Sequence, residues 1–345
     1  MKIEKIKLKN ISAKSWEHPT DKAALSALES IPGMDTILKK FVGATTEKSI
    51  KLATLASAVR TSEKQFPKLY NLHKEACQIL DLPYIPELYI AQHPFMNAGA
   101  TGVENPFIVL NSSVLDKLSD EEILAVIGHE LGHCMSGHVL YKTLLYMLIN
   151  LSTLMLSVPL SGIAIAPIIL ALKEWDRKSE LSADRAGLLV VQDPMTYYSL
   201  LMKMAGGADY SQMDVNEFFL QAAEYENMSG LSDSVYKMLN VMTLSHPFPV
   251  LRLTKLKTWV DSGEYEKVLS EKFIERGIED NHFENFSSAG KQYKEDIKNT
   301  KGPLAGVTSS IFDAVDSMTD QATDLKDRAG NAWDTFFDKD EPKTR

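Results

Sequence analysis

Two histidines four residues apart, His129 and His133, carry the strongest structural requirement in this chain of 345 residues. In an α-helix, residues four apart lie about 40° apart around the axis, so both imidazoles can reach one metal ion from one face. The preceding sequence predicts such a helix, because Ser119 and Glu122 form a capping box and apolar residues follow at helical spacing. We therefore expect a helix from Ser119 to His138 with a metal-binding face.

Acidic residues supply the other groups that a catalytic metal site needs. Glu130 lies on the flank of the histidine face, where its carboxylate could take a proton from metal-bound water. Three protein ligands and an open position are required, and the candidate third ligand is Glu180. Asp184 shares its helix face, so one carboxylate could bind metal while the other orients a ligand imidazole. The alternatives are surface histidines on a helix and a solvated acidic pair.

The remaining pattern predicts an α+β fold that is mainly α, with a small sheet. Residues 87–92 and 106–111 are typical of strands, and the polar, Gly-rich stretch 94–102 between them fits an edge strand. Residues 19–82 predict several helices, with apolar side chains at three-and-four spacing, for example at Leu52, Leu55, Ala56 and Val59.

Composition narrows the functional classes. The apolar fraction of 44% and charged fraction of 24% are ordinary for a globular protein. A net charge of −9 argues against a nucleic-acid partner, since such proteins are normally basic. Two cysteines, Cys77 and Cys134, cannot form a disulfide framework and fit a reducing compartment. Because residues 1–10 do not begin a signal peptide, we expect a cytoplasmic location.

Residues 143–172 carry no charge over 30 positions and raise the question of a membrane. His133 precedes this segment and Glu180 follows it, so one crossing would separate two ligands of the same ion. We expect a helical hairpin that turns near 157–162, with arms at 144–156 and 163–172. Arms of about 20 and 15 Å are too short for a hydrocarbon core of about 30 Å. The hairpin could pack on the core, or dip into one leaflet or a partner.

Four stretches resemble the M48 metallopeptidases, which include membrane proteases of the Ste24 and HtpX types and their soluble relatives. They are HELGHCMSGH at 129–138, ELSADRAG at 180–187, MNAGATG at 96–102 and SHPFPVLRL at 245–253. The resemblance covers roughly residues 83–256. It implies a metalloendopeptidase that cuts extended or unfolded protein segments, with protein quality control as one role. It departs from the HtpX type at the short apolar arms, where two complete spans would be expected.

The resemblance also implies residue roles. His129, His133 and Glu180 would bind one Zn²⁺ per chain, with Glu130 as general base and then acid. Asp184 would orient a ligand histidine.

Three further positions complete these expectations. His246 would face the metal and steady the oxyanion, or else ligate zinc and block water. Arg252 would support His246 or form a plain salt bridge. Asn97 and Ala98 would belong to the edge strand on which a peptide substrate pairs through its backbone.

We therefore divide the chain into an N-terminal helical region at 1–82 and an M48-like catalytic domain at 83–260 that contains the hairpin 143–172. A helical extension at 261–302 and an amphipathic tail at 303–345 follow.

Partners beyond the substrate remain open. Residues 311–336 carry apolar residues with a period of 3.5, which fits a helix docked on its own globule or a self-association helix. The hairpin could make the protein membrane-associated. The alternative function is a chaperone-like binding protein that keeps the zinc fold with little turnover, and a scaffold with purely structural zinc is a further rival.

Overall fold

A computed structural model describes residues 4–30, 34, 44–102, 105–154, 161–227 and 248–277. The α-helices are α1 Pro19–Glu29, α2 Ala44–Ser57, α3 Pro67–Ile79, α4 Ser112–Lys117, α5 Asp120–Met135, α6 His138–Leu154, α7 Ser161–Val191, α8 Pro194–Gly206, α9 Val215–Asn227, α10 Pro249–Asp261 and α11 Glu264–Leu269. The strands are β1 Ala58–Arg60, β2 Glu87–Ala91, β3 Ala98–Thr101 and β4 Phe107–Asn111. Short 3₁₀ helices lie at Ala13–Ser15 and Tyr210–Gln212. The mainly α fold with a small sheet is confirmed.

The four strands form one mixed sheet in the order β1-β2-β4-β3. β2 and β4 run parallel with Leu88 opposite Ile108, and β3 runs antiparallel to β4 with Gly99 opposite Val109. One side of β3 therefore has no strand partner among the described residues. Its other neighbours are α5 and α6, so the open edge lies beside the helix that carries the two histidines.

One part of the expected helical region is a strand. Val59, which fits the helical spacing of residues 19–82, lies in β1 and pairs antiparallel with Ile90 of β2. The helical interpretation of this position was wrong. A β-branched side chain suits a pleated strand, and pairing with the edge of β2 outweighs a local apolar period.

Helix α5 begins as expected and ends earlier. Ser119 caps it, the Glu122 side chain returns to the Ser119 backbone, and both bonds of the capping box are present. The expected end at His138 was wrong, because the helix stops at Met135. Gly137 has a φ of 70°, a left-handed conformation that glycine adopts readily, and His138 then begins α6 in a new direction.

Helices α5 and α7 cross at backbone contact. A Cβ added to Gly132 would lie 2.5 Å from the Ala186 Cβ, and one added to Gly128 would lie 2.7 Å from the Val190 Cβ and 3.1 Å from the Gly187 Cα. No side chain fits in that space, so small residues on both helices set their separation. The crossing brings the histidines of α5 next to the part of α7 that carries Glu180.

The described parts of α6 and α7 are the arms of the expected apolar hairpin, but both helices are longer than those arms. α6 begins at His138 and α7 continues to Val191, because the uncharged stretch marks only part of each helix. Residues 155–160, which include most of the expected turn at 157–162, lie outside the described residues. The base of the hairpin packs with α1 in a cluster formed by Ala24, Leu28, Met34, Tyr141, Leu144, Leu145, Leu148, Ile168, Leu172 and Trp175.

Within the described ranges, no helix is both long enough and apolar enough to cross a membrane. Contact of 143–172 with a leaflet or a partner stays a prediction. The expected helix at 311–336 lies outside the described residues, as does most of the extension at 261–302. The expected domain boundaries also stay predictions. Core residues on both sides of position 82, such as Leu72 and Leu88, belong to one cluster.

The substitution Gly132→Ala tests the helix crossing. Alanine favours a helix over glycine by up to about 1 kcal/mol, but the overpacked methyl group costs about 1–3 kcal/mol. We expect a net loss of about 1–2 kcal/mol in the free energy of unfolding, measured with urea. Gly99→Ala is the control, since an added Cβ there meets nothing within 4 Å. Equal stability of the two variants would contradict close contact.

His73 gives a pH-dependent test of the main core. It is 1% exposed, and burial lowers its pKa to about 4 from 6.5. Above pH 6.5 the ring is neutral in both states, whereas between pH 6.5 and 4 the unfolded chain takes up the proton first. Stability is therefore lost as pH falls through this window, by up to about 3 kcal/mol. His73→Leu should remove that part of the loss when urea unfolding is compared with wild type at pH 7 and pH 4. An equal loss of stability in wild type and His73→Leu between pH 7 and pH 4 would contradict this contribution of His73.

Candidate metal centre

Three buried side chains converge where α5 and α7 cross. The Nε2 atoms of His129 and His133 lie 3.2 Å apart. Glu180 places Oε2 at 3.4 Å from the His129 nitrogen and Oε1 at 3.2 Å from the His133 nitrogen. The potential ligand atoms of these three residues all lie within 4.8 Å of one another. The structure thus brings Glu180, which is far from both histidines in the sequence, to the two predicted ligands on α5.

The spacing of these atoms fits a tetrahedral ion. Zinc binds nitrogen and carboxylate oxygen at about 2.0–2.2 Å, which separates two ligands at a tetrahedral angle by about 3.3 Å. Each Nδ1 faces a polar partner, Asp184 for His129 and His138 for His133. If each Nδ1 carries the ring proton, then the lone pairs of both Nε2 atoms and the carboxylate of Glu180 face the same point. That arrangement is repulsive unless a cation lies between them.

The electrostatics at the His129 ring also favour a cation. Burial alone would lower the pKa of His129, but Glu180 and Asp184 outweigh it and raise that pKa to about 9. Burial and the nearby Lys142 hold the pKa of His133 well below its usual value. The carboxylates therefore create a negative potential at the His129 nitrogen, and a metal ion would use the same potential as a proton does.

Asp184 lies behind His129 and is itself held by two residues. Its Oδ1 lies 3.2 Å from the His129 Nδ1 and accepts a hydrogen bond from the Tyr197 hydroxyl at 2.9 Å. Arg252 donates from Nε to Oδ2 at 2.8 Å and from Nη2 to Oδ1 at 2.5 Å. Burial alone would raise the pKa of Asp184, but the guanidinium lowers it to about 2. An ionised carboxylate therefore faces the His129 ring.

Arg252 thus contacts the site through Asp184, and its Nη1 lies 3.4 Å from the Glu180 Oε2. Its catalytic role stays a prediction. His246, the residue that it was expected to support, lies outside the described residues.

The ligand carboxylate has its own cationic partner. Lys142, at the start of the apolar hairpin, donates to the Glu180 Oε1 at 2.9 Å and to the Asp176 Oδ1 at 2.5 Å. Burial alone would lower the pKa of Lys142, but the two carboxylates raise it, so the ammonium stays charged. Sequence reasoning missed this residue. Asp176, Glu180 and Asp184 repeat every four residues on one helix face, and this pattern predicts cationic side chains on the elements that pack against that face.

His138 was also missed as part of the site. The expected continuous helix would turn it away from His133, but the break after Met135 returns it to 3.0 Å from the His133 Nδ1. It does not join the three ligand atoms. On its far side it contacts Asp21 of α1.

A mostly apolar pocket of about 40 Å³ opens beside His129 and Glu130. The Glu130 side chain is 2% exposed and forms part of the wall. The other lining residues are Met96, Asn97, Ala98, Val114, Leu118, Val126, Tyr197, Leu200, Met204 and Arg252. The predicted substrate positions Asn97 and Ala98 therefore lie at the metal centre, at the start of the open edge strand β3.

Sequence comparison identifies the family of this chain. The model of Peptidase family M48 matches residues 63–260, more than half of the chain. The chain belongs to this family. The resemblance carried by the four motifs is confirmed, and membership supports a proteolytic function.

Individual M48 relatives agree with this assignment. The chain is 37% identical over 269 residues to the Plastoglobule-localized metallopeptidase 48, chloroplastic, of Arabidopsis thaliana, covering 76% of each protein. It is 26% identical over 227 residues to Protease HtpX homolog 2 of Methanosarcina mazei, covering 57% of this chain and 74% of that protein. No solved structure matches the chain significantly. The relatives' names support a metal-dependent peptidase, while the cytoplasmic location stays a prediction.

Proposed function

We propose that this M48 protein is a zinc-dependent endopeptidase that hydrolyses extended or unfolded segments of proteins. The observation that carries the proposal is the convergence of two imidazole nitrogens and one carboxylate at separations of 3.2–3.4 Å. Glu130, the proposed general base, and an open strand edge lie beside them. The substrate class rests on that edge, and a role in protein quality control rests on family analogy alone.

His129, His133 and Glu180 would hold one zinc ion per chain. Zinc bound there would polarise the scissile carbonyl and lower the pKa of a water molecule. Glu130 is adjacent to one ligand and faces the same pocket, so its carboxylate can accept a proton from the attacking water and return it to the leaving amine. Buried surroundings strengthen these electrostatic interactions by excluding solvent.

The edge strand supplies a way to hold the substrate. Because one side of β3 has no strand partner in the described sheet, a peptide could add to it through main-chain hydrogen bonds. Asn97 and Ala98, where the strand begins, share the pocket with Glu130. Main-chain pairing requires an extended substrate and tolerates many side chains, which favours unfolded segments over folded ones.

His246 and Arg252 complete the proposed machinery. His246 would stabilise the oxyanion, or ligate zinc and block water until substrate displaces it. Arg252 is the better supported as a positioning residue, since its guanidinium holds Asp184, which in turn contacts His129.

Glu130→Gln tests the catalytic proposal. The amide keeps the shape of the carboxylate but cannot accept the proton, so we expect cleavage of an unfolded protein to fall by at least about 100-fold. Zinc content, measured on the same preparations, should remain near one ion per chain. Mass spectrometry of a peptide pool would locate the cuts. Silence from both proteins, with zinc bound and the fold intact, would favour the chaperone-like alternative.

Met204→Glu tests the apolar pocket. A carboxylate in this wall disfavours an apolar substrate side chain, so we expect wild-type cuts beside apolar residues to weaken about tenfold or more in the variant. Met195→Glu is the matched control, because Met195 lies on the same helix, is 51% exposed and does not line the pocket. Identical cut-site patterns for wild type and Met204→Glu would refute a role for the pocket in substrate choice.

A further inference from the structure

A chain of buried hydrogen bonds leads from His133 away from the metal centre to helix α1. The His133 Nδ1 lies 3.0 Å from the His138 Nδ1, and the His138 Nε2 lies 3.0 Å from the Asp21 Oδ2. Ser182 of α7 donates to the same Asp21 oxygen at 2.5 Å. All four side chains are at most 2% exposed. These hydrogen bonds connect α5, α6, α1 and α7 on the side of His133 that faces away from the predicted metal site.

Metal binding at His133 would determine which atom is the donor in each of these hydrogen bonds. If the His133 Nε2 binds an ion, its Nδ1 carries the ring proton and donates it. His138 must then accept with a bare Nδ1, so its own proton is on Nε2. That N–H needs an acceptor, and Asp21 provides it. The reverse tautomer of His138 would place one N–H against another, so the carboxylate selects the arrangement that the ligand requires.

We propose that Asp21, acting through His138, is the positioning residue for His133, and that α1 is therefore part of the metal centre. The inference rests on the proposed function in one respect, that His133 is a metal ligand. It gives the two ligand histidines equivalent support, since His129 contacts Asp184 directly and His133 reaches a carboxylate through a second imidazole. Helix α1 lies outside residues 63–260, the part that matches the family.

The packing of α1 does not by itself explain a buried carboxylate. The helix is already attached to α6 by a hydrogen bond from the Tyr141 hydroxyl to the Glu29 Oε1 at 2.5 Å. Ala24 and Leu28 pack in the apolar cluster at the base of the hairpin. Burying a carboxylate costs several kcal/mol unless partners compensate. A role in orienting His138 accounts for Asp21, whereas apolar packing alone would favour a leucine at that position.

The test is the zinc affinity of the full chain, measured by competition with a chelator. Asp21→Leu removes the acceptor at similar volume, and His138→Phe removes the connection. Loss of such an orienting partner weakens metal binding about 10- to 100-fold, and we expect this for both variants. Asp21→Asn keeps the shape and an uncharged acceptor, so we expect a loss of at least about threefold. The visible spectrum of the cobalt-substituted variants should also change as ligand geometry relaxes.

Tyr141→Phe is the matched control. It removes another, partly buried hydrogen bond between α1 and α6 that does not reach a ligand, so zinc affinity should stay at the wild-type value. If Asp21 acts through His138, the double variant Asp21→Leu/His138→Phe should bind zinc no more weakly than His138→Phe alone. Independent, additive losses would contradict the connection.

Two outcomes would overturn the inference: wild-type affinity in Asp21→Asn and Asp21→Leu, or an equal loss in Tyr141→Phe. If Asp21→Leu does not fold, Asp21→Asn decides the question alone. The proposed function fails separately. A wild-type protein that cleaves nothing, yet binds zinc with an affinity that depends on Asp21, would refute the peptidase and keep the positioning role.

Discussion

The metal centre depends on the close crossing of α5 and α7. Two of the proposed ligands lie on α5, the third lies on α7, and the uncharged segment 143–172 separates them in sequence. Gly132 packs against Ala186, and Gly128 packs against Gly187 and Val190, which allows the two helices to approach closely. Imidazole and carboxylate groups have fixed reach, so ligand atoms at 3.2–3.4 Å require this separation. Small residues at this crossing are therefore a condition for the proposed metal site.

Around that crossing, each proposed ligand contacts a buried or partly buried polar group. Asp184 faces His129, His138 faces His133, and Lys142 contacts Glu180. Burying so many charges is unfavourable unless they pair, and here most of them do. The three proposed ligands are therefore held in position before any ion binds. Such preorganisation avoids an entropy cost on binding and fixes which nitrogen of each ring faces the ion.

The sequence predicted the parts of the site that depend on local spacing. A four-residue step on one helix identified His129 and His133, and the capping box located the start of α5 at Ser119. Sequence patterns did not identify His138, because its position depends on a change of helix direction at Gly137. They did not identify Lys142, because its partner Glu180 lies on a helix that is remote in the sequence. The short strand β1 was missed for a related reason, since pairing with β2 decides its conformation.

The same contacts explain how an apolar hairpin can lie between ligands without disturbing them. Lys142, just before the uncharged segment, is paired with Asp176, just after it, at 2.5 Å. The Thr143 hydroxyl also bonds to the backbone of Gly102, at the end of the edge strand β3. The two arms are therefore fastened at their base, next to Glu180. These contacts lie between the proposed ligands and the rest of the hairpin. The positions of the proposed ligands therefore need not depend on what the outer part of the arms contacts.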